Sequence, residues 1–315
     1  MATVVAPSVT RASVEEALRG KRVDVRGRLF EIVLLLSLVI SFAVLITLIV
    51  SIVADAIPVF QERGLDFVTS ETSAFDFRTG VKQGIVGSMI LIGFVTVFAL
   101  PLGIAAAVYL EEYARDTRLD GTLITNIRNL AGVPSIVYGI LGLVVFVELL
   151  GSVTGPGSIN GRTAIAGGLT LAVLVMPFII IITMEALRAV PRGIREAAYG
   201  VGATRWEVVR SHVLPYAAPG VLTGCILSLA RAFGETAPLL LVGAVTGYFS
   251  TGAADFFEQV RGPYTALPTL VFSWSRNPGD EWQANAAAAI VVLLVAILAV
   301  NAVAILLRNR YERKW

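Results

Sequence analysis

An arginine and a glutamate four residues apart, Arg231 and Glu235, lie inside a long apolar stretch of the chain. On a helix, side chains with this spacing share one face, so the two charges can pair. A charge near the centre of a bilayer costs at least about 2.5 kcal/mol, which calls for a partner or a function. Because a guanidinium donates two parallel hydrogen bonds, it suits oxyanions. The pair is an internal ion pair that fixes helix packing, a point where a passing anion is recognised, or both.

A second informative segment is the arginine-rich stretch 191–215, which lies between two apolar stretches. It is bounded by Pro191 and Pro215 and interrupted at Gly200 and Gly202, so we predict about two short helices within it. A structured basic segment at a membrane surface is typical of a docking surface. We therefore expect a cytoplasmic partner to bind here, and the chain to be one part of a larger assembly.

The composition places these residues in a membrane protein. Hydrophobic residues make up 56% of the 315 and charged residues only 15%, against roughly 25% charged in soluble domains. A membrane-spanning helix needs about 20 apolar residues. The stretches of sufficient length are 32–57, 84–110, 129–150, 163–187, 213–245 and 284–307. We predict an all-α, polytopic fold with six transmembrane helices, the fifth of them broken or kinked near Gly234 and Pro238.

The distribution of basic residues predicts the orientation. Eighteen of the 25 Lys and Arg residues fall in the N-terminal arm, in the loops 111–128 and 188–212, and in the C-terminal tail. Since cytoplasmic loops carry the excess of positive charge, we expect both termini and the segment 191–215 to be cytoplasmic. The loops 58–83 and 246–283 would then lie outside, either as simple connections or as a docking surface for an external protein.

The sequence contains none of the common catalytic or cofactor motifs. It has one cysteine, Cys225, which excludes an intrachain disulfide, and it lacks HExxH, CxxC and Ser/His/Asp arrangements. It also lacks the Walker motif, so it cannot hydrolyse ATP by that route. We predict a non-catalytic membrane subunit with no cofactor, no metal site and no nucleic-acid partner.

Two strings of residues resemble a known family. Glu196-Ala197-Ala198 with Gly202, followed by Leu214-Pro215, resembles the EAA loop in membrane subunits of binding-protein-dependent (MetI-like) ABC importers. Residues 231–238, Arg-Ala-Phe-Gly-Glu-Thr-Ala-Pro, are similar to the A-type (PstA-type) permeases of bacterial phosphate importers. Companion C-type permeases typically have methionine after Gly-Glu-Thr. Residues 133–139, 266–268 and 273–274 also resemble the A-type subunit, and the resemblance spans roughly residues 80–310.

This resemblance implies a set of partners and site residues. The subunit would pair with a homologous C-type permease, each forming half of a path for phosphate across the inner membrane. Glu196, Ala197, Ala198 and Gly202 would belong to a coupling helix that docks on a cytoplasmic ATPase, present in two copies. A phosphate-binding protein would dock on the outer loops. Arg231 and Glu235 would contact phosphate or position a gate.

The resemblance also predicts how the chain is divided, and two alternative functions stay open. We expect a cytoplasmic arm (1–28), a first transmembrane helix with an external loop (29–83), a permease domain (84–310) containing the coupling loop 188–215, and a cytoplasmic tail (311–315). One alternative is a permease for another oxyanion, such as sulfate or molybdate. The other is a sensory or scaffolding membrane subunit that reports the state of a transporter to a regulator.

Overall fold

The computed structural model describes residues 25–115, 117–154, 161–244 and 260–311, and the regular structure in these ranges is helical. The helices are α1 (Val25–Arg63), α2 (Asp66–Thr69), α3 (Lys82–Tyr113), α4 (Arg118–Ala131), α5 (Ser135–Leu149), α6 (Gly151–Thr154), α7 (Ala164–Arg188), α8 (Arg192–Gly200), α9 (Arg205–Gly234), α10 (Ala237–Val242), α11 (Leu267–Trp274) and α12 (Asp280–Tyr311). The chain divides into two units, residues 1–51 and 52–315. Within the first unit, residues 25–51 are exposed and residues 32–51 carry no charged side chain, as expected of a helix surrounded by lipid.

The predicted all-α membrane fold is confirmed. In the described ranges, five helices are long and apolar enough to cross a membrane, namely α1, α3, α7, α9 and α12. The pair α4 and α5 gives a sixth if it is counted as one broken span.

The third span differs from its prediction. We expected one helix over 129–150 after a loop at 111–128, but most of that loop is α4, and α5 leaves α4 at an angle of 101°. Thr117 and Asp120 form a capping box that starts α4. The turn follows from Pro134, which has extended backbone and no N–H to continue the helix. The Tyr138 hydroxyl of α5 donates to the Leu130 carbonyl of α4 at 2.9 Å and holds the bend.

The fifth span confirms one prediction and corrects another. The break is where we expected it, because α9 ends at Gly234 and α10 begins at Ala237 with Pro238 in its first turn, where a missing N–H costs little. Pro215, however, does not end a helix, and α9 runs from Arg205 through it without interruption. A π-helical turn, Val209–Val213, lies just before Pro215. Its wider hydrogen-bonding pattern lets the helix continue although proline has no backbone N–H to donate.

The core of the second unit is built around α7. Small residues let neighbouring helices approach it closely. A Cβ atom on Gly103 of α3 would lie 2.7 Å from Cγ2 of Ile179, and Gly224 of α9 lies directly against Ile182. These contacts fix α3 and α9 on two sides of α7.

The loop 246–283 is more than a connection. Its described part contains α11, in which Leu267 and Leu270 are fully buried. The backbone N–H of Leu267 donates to the Ser88 hydroxyl of α3 at 2.9 Å, which ties this segment into the core. Residues 245–259 lie outside the described residues, and a docking role for this loop stays a prediction.

The loop 58–83 also packs on the core through part of its length. Phe67 in α2 is fully buried, whereas Phe75 and Phe77 are exposed. The Arg63 guanidinium donates to the Thr79 carbonyl and, at 3.2 Å, to Asn285 of α12. A docking role for the exposed aromatic residues stays a prediction.

Candidate functional site

The structure brings Arg231 and Glu235 together at the end of α9. Nε of Arg231 lies 3.3 Å from Oε1 of Glu235. Glu235 itself has extended backbone, because α9 has already ended at Gly234. The carboxylate therefore belongs to the break between α9 and α10, and the ion pair joins the helix end to that break.

The guanidinium of Arg231 has one further contact in the described part of the chain. Its Cζ lies 4.1 Å above the ring of Phe178 in α7, a cation–π distance. The side chain is nevertheless 37% exposed, against 16% for Glu235. An arginine has five N–H donors, and Glu235 is the hydrogen-bond acceptor recorded here for one of them. Within the described residues the other donors have no recorded acceptor, and their geometry suits an oxyanion.

The break that carries Glu235 is held by close packing against α5. A Cβ atom on Gly139 would lie 2.7 Å from Cα of Pro238 and 2.9 Å from the Leu241 side chain. Gly139 is therefore glycine because α10 approaches α5 too closely for a side chain. A movement of α5 or α10 would displace the carboxylate that pairs with Arg231.

A second cluster of charges fixes α8 to the ends of two spanning helices. Arg195 of α8 contacts Glu112 at the end of α3, with Nη2 2.7 Å from Oε1. The same guanidinium donates to the carbonyls of Leu187 and Val190, each at 2.9 Å. The side chains of Arg195 and Glu112 are only 19% and 7% exposed. Arg195 thus satisfies a buried carboxylate and two carbonyls at the end of α7 in one place.

The residues predicted to couple to a partner occupy α8 and the turn after it. Ala198 is 4% exposed and packs in a cluster with Leu187, Val190 and Val208. Glu196 and Ala197 are exposed on the other side of the helix. Val201, just beyond α8, is 86% exposed. One face of α8 therefore anchors it to the protein, and the other presents a charge and small apolar groups at the protein surface.

The turn between α8 and α9 depends on Gly202. Its φ angle is +87°, in the left-handed region that residues with a side chain rarely adopt. Thr204 then caps α9, and the carboxylate of Glu207 accepts hydrogen bonds from the Thr204 N–H and hydroxyl at 2.8 Å each.

We predict that Gly202→Ala weakens this turn by about 1 kcal/mol, the cost of left-handed backbone for an L-residue. A Cβ atom at Gly202 or at Gly200 would meet nothing within 4 Å, and only Gly202 has a positive φ. Gly200→Ala is therefore the matched control and should be neutral or slightly stabilising, since it lies at the end of α8. The measurement is the melting temperature of each purified variant in detergent. Equal melting temperatures for the two variants would contradict the role assigned to the turn.

Sequence reasoning missed Arg195 and Glu112 as a structural pair. Glu111 and Glu112 lie at the end of a predicted span, where an acidic pair is unusual on a basic side of the membrane. Each meets an arginine, since Arg188 Nε donates to Glu111 Oε2 at 2.9 Å. That acidic pair was the available signal.

One continuous helix joins the α8–α9 turn to the Arg231–Glu235 pair. α9 begins at Arg205, three residues after Gly202, and carries Arg231 near its other end. Arg205 and Arg231 are 26 residues apart, which corresponds to about 39 Å along a helix axis. A displacement of the α8–α9 turn therefore acts directly on the element that carries Arg231.

Comparison with known proteins agrees with this architecture. Residues 99–315 match the family described as binding-protein-dependent transport system inner membrane component. A phosphate transport system permease protein PstA from Yersinia pestis is 34% identical over 227 residues, covering 71% of each chain. A probable ABC transporter permease protein, YqgI from Bacillus subtilis, is 30% identical and covers 75% of this chain and 81% of its own.

Solved structures with low sequence identity share the fold. A chain of a bacterial alginate ABC transporter in complex with a pentasaccharide-bound periplasmic protein superposes with a TM-score of 0.60 at 18% identity. That match covers 89% of this chain and 94% of the other. A chain of the inward-facing MetNI methionine ABC transporter gives 0.56 at 17% identity, covering 74% and 98%. The protein is a multi-pass membrane protein, and it belongs to the binding-protein-dependent transport system inner membrane component family.

Proposed function

We propose that this protein is a permease subunit of an ATP-driven phosphate importer. It forms half of the translocation path and connects that path to a cytoplasmic ATPase through residues 191–215. The chain itself is non-catalytic, and a separate subunit hydrolyses ATP.

The observation that supports phosphate most directly is the Arg231–Glu235 pair at the break after α9. A partly exposed guanidinium whose other donors meet no acceptor among the described residues suits a tetrahedral oxyanion, and Glu235 neutralises the arginine when no anion is present. The pair lies in the string 231–238 that resembles phosphate permeases, and relatives at about 30% identity carry the name phosphate transport system permease protein. Arg231 and Glu235 are thus proposed as path or gate residues.

The proposed assembly contains three kinds of partner protein. A homologous C-type permease completes the path, two copies of an ATPase bind on the cytoplasmic side, and a phosphate-binding protein docks outside. The exposed face of α8, with Glu196 and Ala197, would contact the ATPase, while Ala198 and Gly202 keep that helix and its turn in place. Both termini would be cytoplasmic, because the excess of basic residues lies on that side.

We predict that Glu196→Lys weakens ATPase attachment, because it reverses a charge on the exposed face of α8. A reversed interfacial charge places like charges together or leaves the partner cation unpaired, which lowers affinity roughly tenfold or more. The measurement is the amount of ATPase that co-purifies with the tagged permease in detergent. Arg310→Gln changes an exposed charge on α12 and serves as the control. Unchanged co-purification of Glu196→Lys would refute docking at this face.

The substrate is tested in whole cells. Deleting the gene should lower high-affinity uptake of labelled phosphate and leave uptake of sulfate and molybdate unchanged. Loss of sulfate or molybdate uptake instead would favour a permease for that oxyanion. Normal uptake with altered phosphate-dependent gene regulation would favour a sensory subunit.

A further inference from the structure

An open apolar groove runs between α3 and the first part of α9, and no ion-pair residue of the two charge clusters lines it. Its volume is about 530 Å³, within the range of pockets that hold small ligands. The floor is formed by Pro101, Ile104, Ala105 and Val108 of α3 together with Leu214 of α9. Pro101 and Val108 are seven residues apart, so the floor extends for about 10 Å along the helix axis.

Aromatic side chains line one end of the groove. Tyr109, Tyr113 and Trp206 lie there, and Tyr109 and Trp206 are 58% and 56% exposed. Tyrosine and tryptophan with exposed rings are typical of the level where hydrocarbon meets headgroups. This end is also the one nearest the α8–α9 turn. By the distribution of basic residues, it faces the cytoplasmic leaflet.

A cation lies at the same end. The guanidinium carbon of Arg205 is 5.7 Å from the centre of the Tyr113 ring. Within the described ranges Arg205 forms no ion pair, and the nearby carboxylate of Glu207 is engaged by Thr204. Arg115 and Arg118, which follow Tyr113 in the chain, are exposed as well. The groove thus combines an uncharged floor with an unpaired positive charge at its aromatic end.

We propose that an anionic phospholipid of the cytoplasmic leaflet occupies this groove. An acyl chain lies along the floor formed by α3 and Leu214, and the phosphate is bound by Arg205. The charge arrangement favours this occupant, because the cytoplasmic leaflet is negatively charged and attracts basic residues close to its surface. A bound lipid would bridge α3 and the first turn of α9, and would make the position of the α8–α9 turn sensitive to lipid composition.

The test uses the purified transporter complex in nanodiscs of phosphatidylcholine with or without phosphatidylglycerol. Native mass spectrometry measures the phosphatidylglycerol retained after transfer to detergent, and ATP hydrolysis is measured in parallel. We expect retention by the unaltered complex and at least fivefold less retention by Arg205→Gln. Ala105→Trp fills the exposed floor without changing a charge and should have the same effect. Arg310→Gln, an exposed charge loss outside the groove, should retain the lipid.

Phosphatidylglycerol should raise ATP hydrolysis of the unaltered complex and of Arg310→Gln, and not of Arg205→Gln or Ala105→Trp. Equal retention by all variants, or equal retention of phosphatidylcholine, would overturn the proposal. A cysteine at position 105 that cross-links to the companion permease would also overturn it, since the groove would then be an interface between subunits. The outcome is independent of whether the transported anion is phosphate.

Discussion

Arg231→Gln is expected to abolish phosphate uptake while the transporter remains assembled. Glutamine keeps a hydrogen-bond donor but removes the charge and the planar pair of donors that suit an oxyanion. Two charge-assisted hydrogen bonds contribute about 1.5–3 kcal/mol each, so the loss corresponds to at least about a hundredfold in uptake. The measurement is initial uptake of labelled phosphate, with co-purification of the ATPase as the check on assembly.

A double variant separates anion recognition from a purely structural ion pair. Glu235 is only 16% exposed and is left without its recorded partner in Arg231→Gln. Replacing both residues, Arg231→Gln with Glu235→Gln, removes the unpaired carboxylate and should restore stability without restoring uptake. Recovery of uptake in the double variant would show that the pair serves packing alone and would contradict the anion role.

Arg195→Gln is expected to have the largest effect on stability. It leaves Glu112, which is 7% exposed, without its recorded ion-pair partner and removes the donor to two carbonyls at the end of α7. Breaking a buried ion pair by removing one partner costs about 3–5 kcal/mol. We expect a clear fall in the melting temperature of the purified complex and loss of the link between α8 and the spanning helices.

Arg188→Gln is the matched control for Arg195→Gln. Arg188 pairs with Glu111 next to Glu112, with a similar distance of 2.9 Å, but its side chain is 39% exposed. Exposed pairs contribute about 0–1 kcal/mol, so the melting temperature should change little. A larger effect at Arg188 than at Arg195 would contradict the assignment of Arg195 as the residue that anchors α8.

The sequence was sufficient to predict five of the six spans and the break in the fifth, but not the bent pair α4–α5. A spanning helix is indicated by its own long apolar stretch, and the break is indicated by the proline after Gly234. Neither prediction requires knowledge of contacts with other segments. The pairing of Arg231 with Glu235 also followed from their spacing, although Glu235 lies beyond the helix end. The placement of residues 191–215 on the cytoplasmic side, together with both termini, followed from the charge distribution alone and is still a prediction.

The features that were missed depend on contacts between distant segments. The pairing of Arg195 with Glu112 joins residues 83 positions apart, and no local pattern specifies which arginine meets which glutamate. The burial of α11 requires a groove made by α3 and α12, so its segment looked like an external loop. A proline at position 215 predicts a helix boundary, because a π-helical turn that tolerates proline has no simple sequence signature.

We propose that one element, α9, connects ATPase docking at α8 with anion recognition at Arg231. Gly202 and the Thr204 cap fix one end of this helix, and the break at Glu235 fixes the other. Close packing of Gly224 on Ile182 makes α9 and α7 neighbours over the length between. A change at the α8–α9 turn can therefore reach the proposed anion site through packed helices.

The most direct test is accumulation of labelled phosphate in proteoliposomes that contain the purified complex and its binding protein. We predict that phosphate accumulation requires ATP and is unchanged by excess sulfate or molybdate. Each of the variants Arg231→Gln and Arg195→Gln should abolish it. Accumulation without ATP, equal competition by sulfate or molybdate, or full accumulation by Arg231→Gln would contradict the account.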